Sequence, residues 1–274
     1  MPRFAANLSM MFNEVPFLER FRAAADAGFE AVEYLFPYDF PAETVAGALR
    51  AAGLKQVLFN LPPGDWSNGE RGLASLPARA DEFRQSVRTA LDYARALDGS
   101  LLHMMAGIPP SRDATARSAY LDALKYAADA AGAEGRTILV EPINSRDMPG
   151  HFLNDFNHAA EIVEKLNHPH VKLQFDIYHR QIIHGDVLTA LETMMPIIGH
   201  IQTASVPKRN EPGTGELDDF RIFRALDELG YAGWVGCEYR PKAATLDGLG
   251  WLEKARAGEA RGADIAAHNL GAIF

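Results

Sequence analysis

The chain predicts a single-domain (β/α)8 barrel, and three observations carry that expectation. Eight short apolar or β-rich runs are spread along its whole length, with helical spacing between them. Strands that alternate with helices form βαβ units around a parallel sheet. The length, 274 residues, suits a closed barrel of eight such units, which typically takes about 250.

The runs fall at residues 4–10, 31–36, 56–61, 101–106, 137–143, 171–177, 198–204 and 234–239. Helical spacing follows the first at Phe17, Phe21, Ala24 and Ala25, and the third at Phe83, Val87, Leu91 and Ala94. It follows the fifth at Ala159, Ile162, Val163 and Leu166, and the seventh at Phe220, Phe223, Leu226 and Leu229. Apolar residues at these intervals make one buried helix face. Gly28, Gly53 and Gly230 stand where helix C-caps are expected. An open doubly wound sheet would carry a glycine-rich phosphate loop after its first strand, and Asn7-Leu8-Ser9-Met10-Met11 contains no glycine. No linker rich in Pro, Gly or Ser divides the chain, so residues 1–274 are expected to form one domain. Two longer segments, 62–77 and 203–217, follow the third and seventh runs. They belong to the βα loops, which build the active-site face of a barrel.

Composition narrows the function. With 27 Lys and Arg against 36 Asp and Glu, the formal charge is −9, which argues against a nucleic-acid surface. Hydrophobic residues at 47% and charged residues at 23% are ordinary for a globular protein and exclude a fibrous or disordered chain. The sole cysteine, Cys237, excludes a disulfide framework, a Cys-rich zinc site and an iron–sulfur cluster. No apolar run approaches the roughly 18 residues of a membrane span. Met1-Pro2-Arg3-Phe4 does not open a secretory signal. A cytoplasmic enzyme with a small-molecule substrate is expected, with no nucleic-acid or membrane partner; a homo-oligomer is compatible with this.

Polar residues at the C-terminal ends of barrel strands read as chemistry, because the strands themselves should be apolar. Glu141 follows Ile138-Leu139-Val140, Asp176 follows Leu173-Gln174-Phe175, Gln202 follows Gly199-His200-Ile201, and Glu238 follows Val235-Gly236-Cys237. They come from four consecutive strands at spacings of 35, 26 and 36 residues, so they should converge at the barrel mouth. Three carboxylates and an amide oxygen form a hard-ligand set that suits Mg2+ or Mn2+, with positions left for water and substrate oxygens. Without a cation, carboxylates held that close repel and some must protonate. Any one of the acids taken singly has a plainer use, capping the helix that follows or meeting a surface arginine.

The chain also resembles a known family. The residues that carry the likeness are Phe4-Ala5-Ala6-Asn7-Leu8-Ser9-Met10, Glu30-Ala31-Val32-Glu33, Asn60-Leu61-Pro62-Pro63-Gly64-Asp65-Trp66, Glu141-Pro142-Ile143-Asn144, Asp176-Ile177-Tyr178-His179 and His200-Ile201-Gln202. They are similar to the hydroxypyruvate isomerase family of xylose-isomerase-like TIM barrels, which includes 2-oxo-tetronate isomerases and, more distantly, ketose 3-epimerases. The likeness runs from about Arg3 to Tyr239. It implies that Glu141 and Glu238 are the proton-transferring pair, and that Glu141, Asp176, Gln202 and Glu238 form a metal shell where a metal is bound. The epimerase relatives carry His where this chain has Gln202. That exchange keeps a neutral ligand, replaces nitrogen with oxygen and shifts preference toward Mg2+.

Among the other polar residues, His179 matches a histidine that contacts substrate oxygen in related barrels. Lys208 and Arg209, in the loop after the seventh strand, are candidates to grip a substrate carboxylate. His103 is a candidate for the pocket wall, and Trp66 for a lid over the substrate or a subunit contact. His151, His158, His168, His170 and His184 show no ligand spacing. Cys237 flanks Glu238, but strand alternation points it to the opposite side. The charged segment 79–88 reads as a solvated helix face.

The chemistry implied is an aldose–ketose-type isomerisation of a small hydroxy-oxo acid. Hydroxypyruvate would become tartronate semialdehyde, or a 2-oxo-tetronate would react in the same way, through an enediolate. The alternatives are a ketose 3-epimerase using the same two glutamates, and a sugar-acid-binding protein without turnover. An endonuclease-IV-like hydrolase would need many strand-end His ligands and a basic groove, which the composition does not supply.

Overall fold

The computed structural model describes residues 1–257; the part of the one-domain expectation that concerns 258–274 lies outside the described residues. Eight strands are present: β1 (Arg3–Asn7), β2 (Ala31–Tyr34), β3 (Lys55–Asn60), β4 (Leu101–His103), β5 (Thr137–Val140), β6 (Val171–Asp176), β7 (Ile198–Gln202) and β8 (Trp234–Cys237). All neighbours pair in parallel and in chain order, and β8 closes on β1 with Ala5 opposite Gly236 and Ala6 opposite Cys237. The helices between them are α1 (Phe17–Asp26), α2 (Ala42–Ala52), α3 (Ala80–Leu97), α4 (Ala114–Gly132), α5 (Phe156–Leu166), α6 (Ile177–Ile183), α7 (Val187–Met194) and α8 (Asp219–Glu228). A further helix spans residues 250–257. The fold is the (β/α)8 barrel the alternation predicts.

Each strand lies on one of the eight apolar runs, and most runs overshoot their strand by two or three residues. The ladder stops where the chain turns outward, while burial continues into the loop. At β5 the turn begins at Pro142, which has no N–H to give a neighbour, so Glu141 sits one residue past the strand.

Two apolar layers result from the period of two along each strand. Outward side chains pack under the helices: the Phe4 ring meets Phe223 and Trp251 edge-on, at centroid distances of 5.0 and 5.1 Å. Cys237 is fully buried in this outer core, as alternation requires. The second apolar cluster is small, with Ala5, Ala31, Val57, Leu58 and Leu139 at its centre. Further along the strands polar side chains take over.

The carboxyl of Glu33, with no solvent exposure, ties this polar layer together. Its Oε1 accepts from Asn7 Nδ2 at 2.9 Å and Gln202 Nε2 at 2.8 Å, and its Oε2 lies 2.7 Å from His200 Nε2. Four strands are thereby joined through one group, because β8 contributes Gly236. A Cβ built on Gly236 would lie 2.2 Å from Glu33 Oε2, so the absent side chain is what admits the carboxyl.

Gly236→Ala is therefore expected to destabilise the protein by about 1–3 kcal/mol, the usual cost of overpacking a filled core. Urea unfolding of the variant measures this. A midpoint unchanged from the parent would mean that Glu33 moves aside freely.

Candidate active site

The strand ends bring Glu141, Asp176 and Glu238 together at the mouth of the barrel. Each follows apolar strand residues, and each is buried, with relative exposures of 5%, 0% and 7%. Burial raises all three carboxyl pKa values. Glu141 is pushed well above the usual carboxylate range by burial and then by the charges of Glu238 and Asp176. Glu238 is pushed to about 8 by burial, against the pull of Arg209. Asp176 rises only to about 6, since Arg209 and the Tyr178 N–H oppose its burial. Asp176 does cap the following helix, accepting from Tyr178 N–H at 2.8 Å through Oδ1, and its Oδ2 still faces the site.

Arg209 supplies the opposing charge. Its guanidinium lies 3.1 Å from Glu238 Oε2, 3.4 Å from Asp176 Oδ2 and 3.3 Å from Asp147 Oδ2, with its centre 4.8 Å from the Tyr178 ring centroid. Burial alone would lower its pKa, but the surrounding carboxylates outweigh that and raise it. The backbone of Arg209 is left-handed, with φ of 57°, a conformation that costs a non-glycine residue roughly 1–3 kcal/mol. Two hydrogen bonds hold it there: its N–H donates to Ser205 O at 2.8 Å, and its carbonyl accepts from Arg240 N–H at 2.7 Å.

The remaining expected residues fall in different places. His103 is buried with Nε2 3.5 Å from Glu141 Oε2, and burial drops its pKa to about 3. His179 places Nε2 3.6 Å from Asp176 Oδ2, and burial followed by the charge of Arg209 holds it well below the usual histidine range. Donor atoms of Glu141, Asp176 and His179 lie within 4.8 Å of one another, the one such group of three among the described residues. Gln202 lines the same cavity as Glu141 and Glu238; its amide oxygen accepts from Gln174 Nε2 at 2.6 Å while its nitrogen donates to Glu33. Lys208 is exposed. Trp66 is half-buried against Phe36, with the Arg71 guanidinium 3.8 Å over its ring. It borders a cleft of about 620 Å³ that Ser9, Leu35 and Arg240 also line.

Sequence reasoning gave no role to Glu33, Asn144, Asp147 or Arg240, although Glu33 and Asn144 stand in the motifs that carry the family likeness. Glu33 follows Ala31-Val32 at a strand end, the same signal that singled out Glu141. Arg240 lies two residues beyond Glu238, on the same side of an extended chain. Asp147 carries no signal, because only the fold of its loop brings it to Arg209.

The geometry has counterparts in known proteins. The sequence profile of the xylose isomerase-like TIM barrel family matches residues 21–255. The chain belongs to that family. Relatives within it include the isomerase group that the strand-end motifs resemble. A 2-oxo-tetronate isomerase of Cupriavidus necator is 53% identical over 92% of this chain and 98% of its own. A hydroxypyruvate isomerase of Escherichia coli is 40% identical over 93% of this chain and all of its own, 100%. The crystal structure of an AP endonuclease, family 2, from Brucella melitensis superposes with a TM-score of 0.91 at 51% identity, covering 93% of this chain and 99% of that one.

The buried carboxyls set a pH dependence of stability. A carboxyl whose native pKa is raised keeps its proton longer in the folded state, so its contribution is lost as pH rises through the native value. His103, with a native pKa of about 3, and His151, lowered to about 4 by burial, act oppositely, and their effect is complete above the ordinary histidine value of 6.5. Between pH 6.5 and about 8, where Glu238 titrates, the metal-free protein should lose stability with rising pH. Glu238→Gln should flatten that slope. Urea unfolding across this window checks both, and a rising slope in the parent protein would contradict the assignment.

Proposed function

We propose that the chain isomerises a small hydroxy-oxo acid, hydroxypyruvate or a 2-oxo-tetronate, with Glu141 and Glu238 as the proton-transferring pair. The isomerase class is that of its close relatives. The observation that carries the mechanism is the pair itself. Glu141 and Glu238 are buried together, and the charge of Glu238 adds to burial in raising Glu141, so the two resist ionising together and one can hold a proton while the other, ionised, accepts one. One glutamate removes a proton from the hydroxyl-bearing carbon beside the carbonyl, giving an enediolate. The other delivers a proton to the former carbonyl carbon, and a proton passes between the two oxygens, so a ketone becomes an aldehyde without net change in atoms.

A divalent cation, Mg2+ or Mn2+, fits the donor chemistry. The buried Glu141 Oε1 has no hydrogen-bond partner among the described residues. Glu141 and Asp176 have donor oxygens within 4.8 Å of one another, and Glu238 lines the same cavity as Glu141, so these acids offer the oxygen ligands such ions take. The Gln202 oxygen, in the same cavity, accepts from Gln174 and keeps a second lone pair for an ion. When bound, the ion supplies positive charge against the negative charge that develops on the substrate oxygens.

Arg209, shared among three carboxylates, balances the charge of the proton-transferring pair and is not free to clamp a substrate carboxylate. Arg240 is the cation left for that role: it is exposed at the cleft and has no ion pair among the described residues. An endonuclease reading, which the Brucella protein's name raises, lacks a multi-histidine metal cluster among the described residues.

The proton-transfer roles are tested with Glu141→Gln and Glu238→Gln, each expected to lower kcat by at least about 10²-fold. The assay panel comprises hydroxypyruvate, 2-oxo-tetronates and ketohexoses, with EDTA or added Mg2+ or Mn2+. In D2O the product should carry deuterium on carbon. Parental rates in both variants would rule out the pair, and turnover of ketohexoses alone would favour epimerisation.

Arg240→Ala should raise KM about 10-fold or more with kcat little changed, since a charge-assisted hydrogen bond is worth roughly 1.5–3 kcal/mol. Lys208→Ala should leave both constants near parental values. Equal effects of the two changes would remove the clamp from Arg240.

A further inference from the structure

Asn144 lies in the loop after β5 with no solvent exposure. Its Oδ1 accepts from the N–H groups of Arg146 and Asp147, both at 3.0 Å. Turning the amide over would set its NH2 against those two donors, so its orientation is determined by the network. Nδ2 is thereby directed at His179, 2.6 Å from Nδ1. The Asn144 backbone N–H points to the same ring nitrogen at 3.3 Å. Two donors meet at Nδ1. Only a lone pair can receive them, and an imidazole with its lone pair on Nδ1 carries its proton on Nε2.

We infer that Asn144 is a positioning residue that keeps the His179 proton on Nε2, so that the ring donates a hydrogen bond into the site and does not ligate a metal. Proximity alone would make His179 a third ligand beside Glu141 and Asp176. A metal-binding histidine has the reverse arrangement: one ring nitrogen gives its lone pair to the ion and the other donates its N–H to a carboxylate or carbonyl. Here the outer nitrogen accepts, and the inner one bears the hydrogen. At 3.6 Å from Asp176 Oδ2, the Nε2–H is beyond a good hydrogen bond to that carboxylate. It is left to a substrate oxygen, where a neutral donor stabilises the charge that forms as carbonyl becomes enediolate. Burial and Arg209 keep the ring uncharged, which agrees with this geometry. The donor role rests on the proposed isomerase reading, whereas the proton position does not.

The test is the tautomer of His179 in 15N-labelled, metal-free protein, read from long-range proton–nitrogen NMR correlations and assigned by their loss in His179→Gln. A protonated Nε2 and a bare Nδ1 are expected in the parent protein, and the opposite pattern overturns the inference. Asn144→Asp keeps the size and the contacts to Arg146 and Asp147 but presents an acceptor to Nδ1. It should draw a proton onto Nδ1 and lower kcat about 10²-fold, the cost of a lost oxyanion donor, with KM close to parental. A proton on Nδ1 with undiminished kcat overturns the donor role. If Asn144→Asp does not fold, the parent spectrum still decides the tautomer. Absence of turnover on every substrate in the panel counts against the proposed function alone, because the spectrum needs no substrate.

Discussion

Asp147, Asp176 and Glu238 meet the guanidinium of Arg209 at distances of 3.1 to 3.4 Å, and Glu141 adds a further carboxyl that no Lys or Arg among the described residues pairs with. Removing ionised carboxylates from water costs several kcal/mol each unless geometry compensates. Arg209 compensates with a fork that can face several acids at once, which a lysine ammonium on a flexible stem would not do as well. Its left-handed backbone follows from the same need. The loop after β7 must return its chain toward the mouth within a few residues, and Ser205 and Arg240 hold the turn through main-chain hydrogen bonds. Burial first, and then the excess of carboxyls over cations, explains why Glu141 and Glu238 both titrate high.

Below the mouth the barrel trades apolar packing for polar connection. An interior of Leu, Ile and Val layers is the common filling of this fold. Here Asn7, Glu33, His103, Gln174, His200 and Gln202 are all buried, and the apolar inner cluster is confined to the lower strands. The outer core between strands and helices, anchored by rings such as Phe4, Phe223 and Trp251, therefore carries most of the hydrophobic stabilisation. The polar layer contributes orientation. Glu33 holds Gln202, Gln202 holds Gln174, and each link limits the rotamers of groups adjoining the carboxyls at the mouth.

The loop after β5 works in the same manner. Asn144 folds its own loop through Arg146 and Asp147 and orients His179 with what remains of its amide. Asp147, carried by that loop, reaches both Arg209 and the Tyr178 hydroxyl, the latter at 3.3 Å. One short segment thus couples the conformation of a loop to the proton position on a histidine and to the charge balance of the site.

The eight strands, their order and the strand-end positions of Glu141, Asp176 and Glu238 were legible in the sequence. Alternation with period two and helical spacing are local consequences of covalent geometry, and they survive in the letters of the chain. The side to which Cys237 and Glu238 point was readable for the same reason. What each polar group bonds was decided only in three dimensions. Only the fold shows that β2 brings Glu33, 169 residues away in sequence, to the amide nitrogen of Gln202. In the same way Asp147, 62 residues away, comes to lie beside Arg209 only in the fold. A side chain's direction is determined by its neighbours along the strand, whereas its hydrogen-bond and ion-pair partners are determined by barrel closure, which brings together residues that no local pattern links.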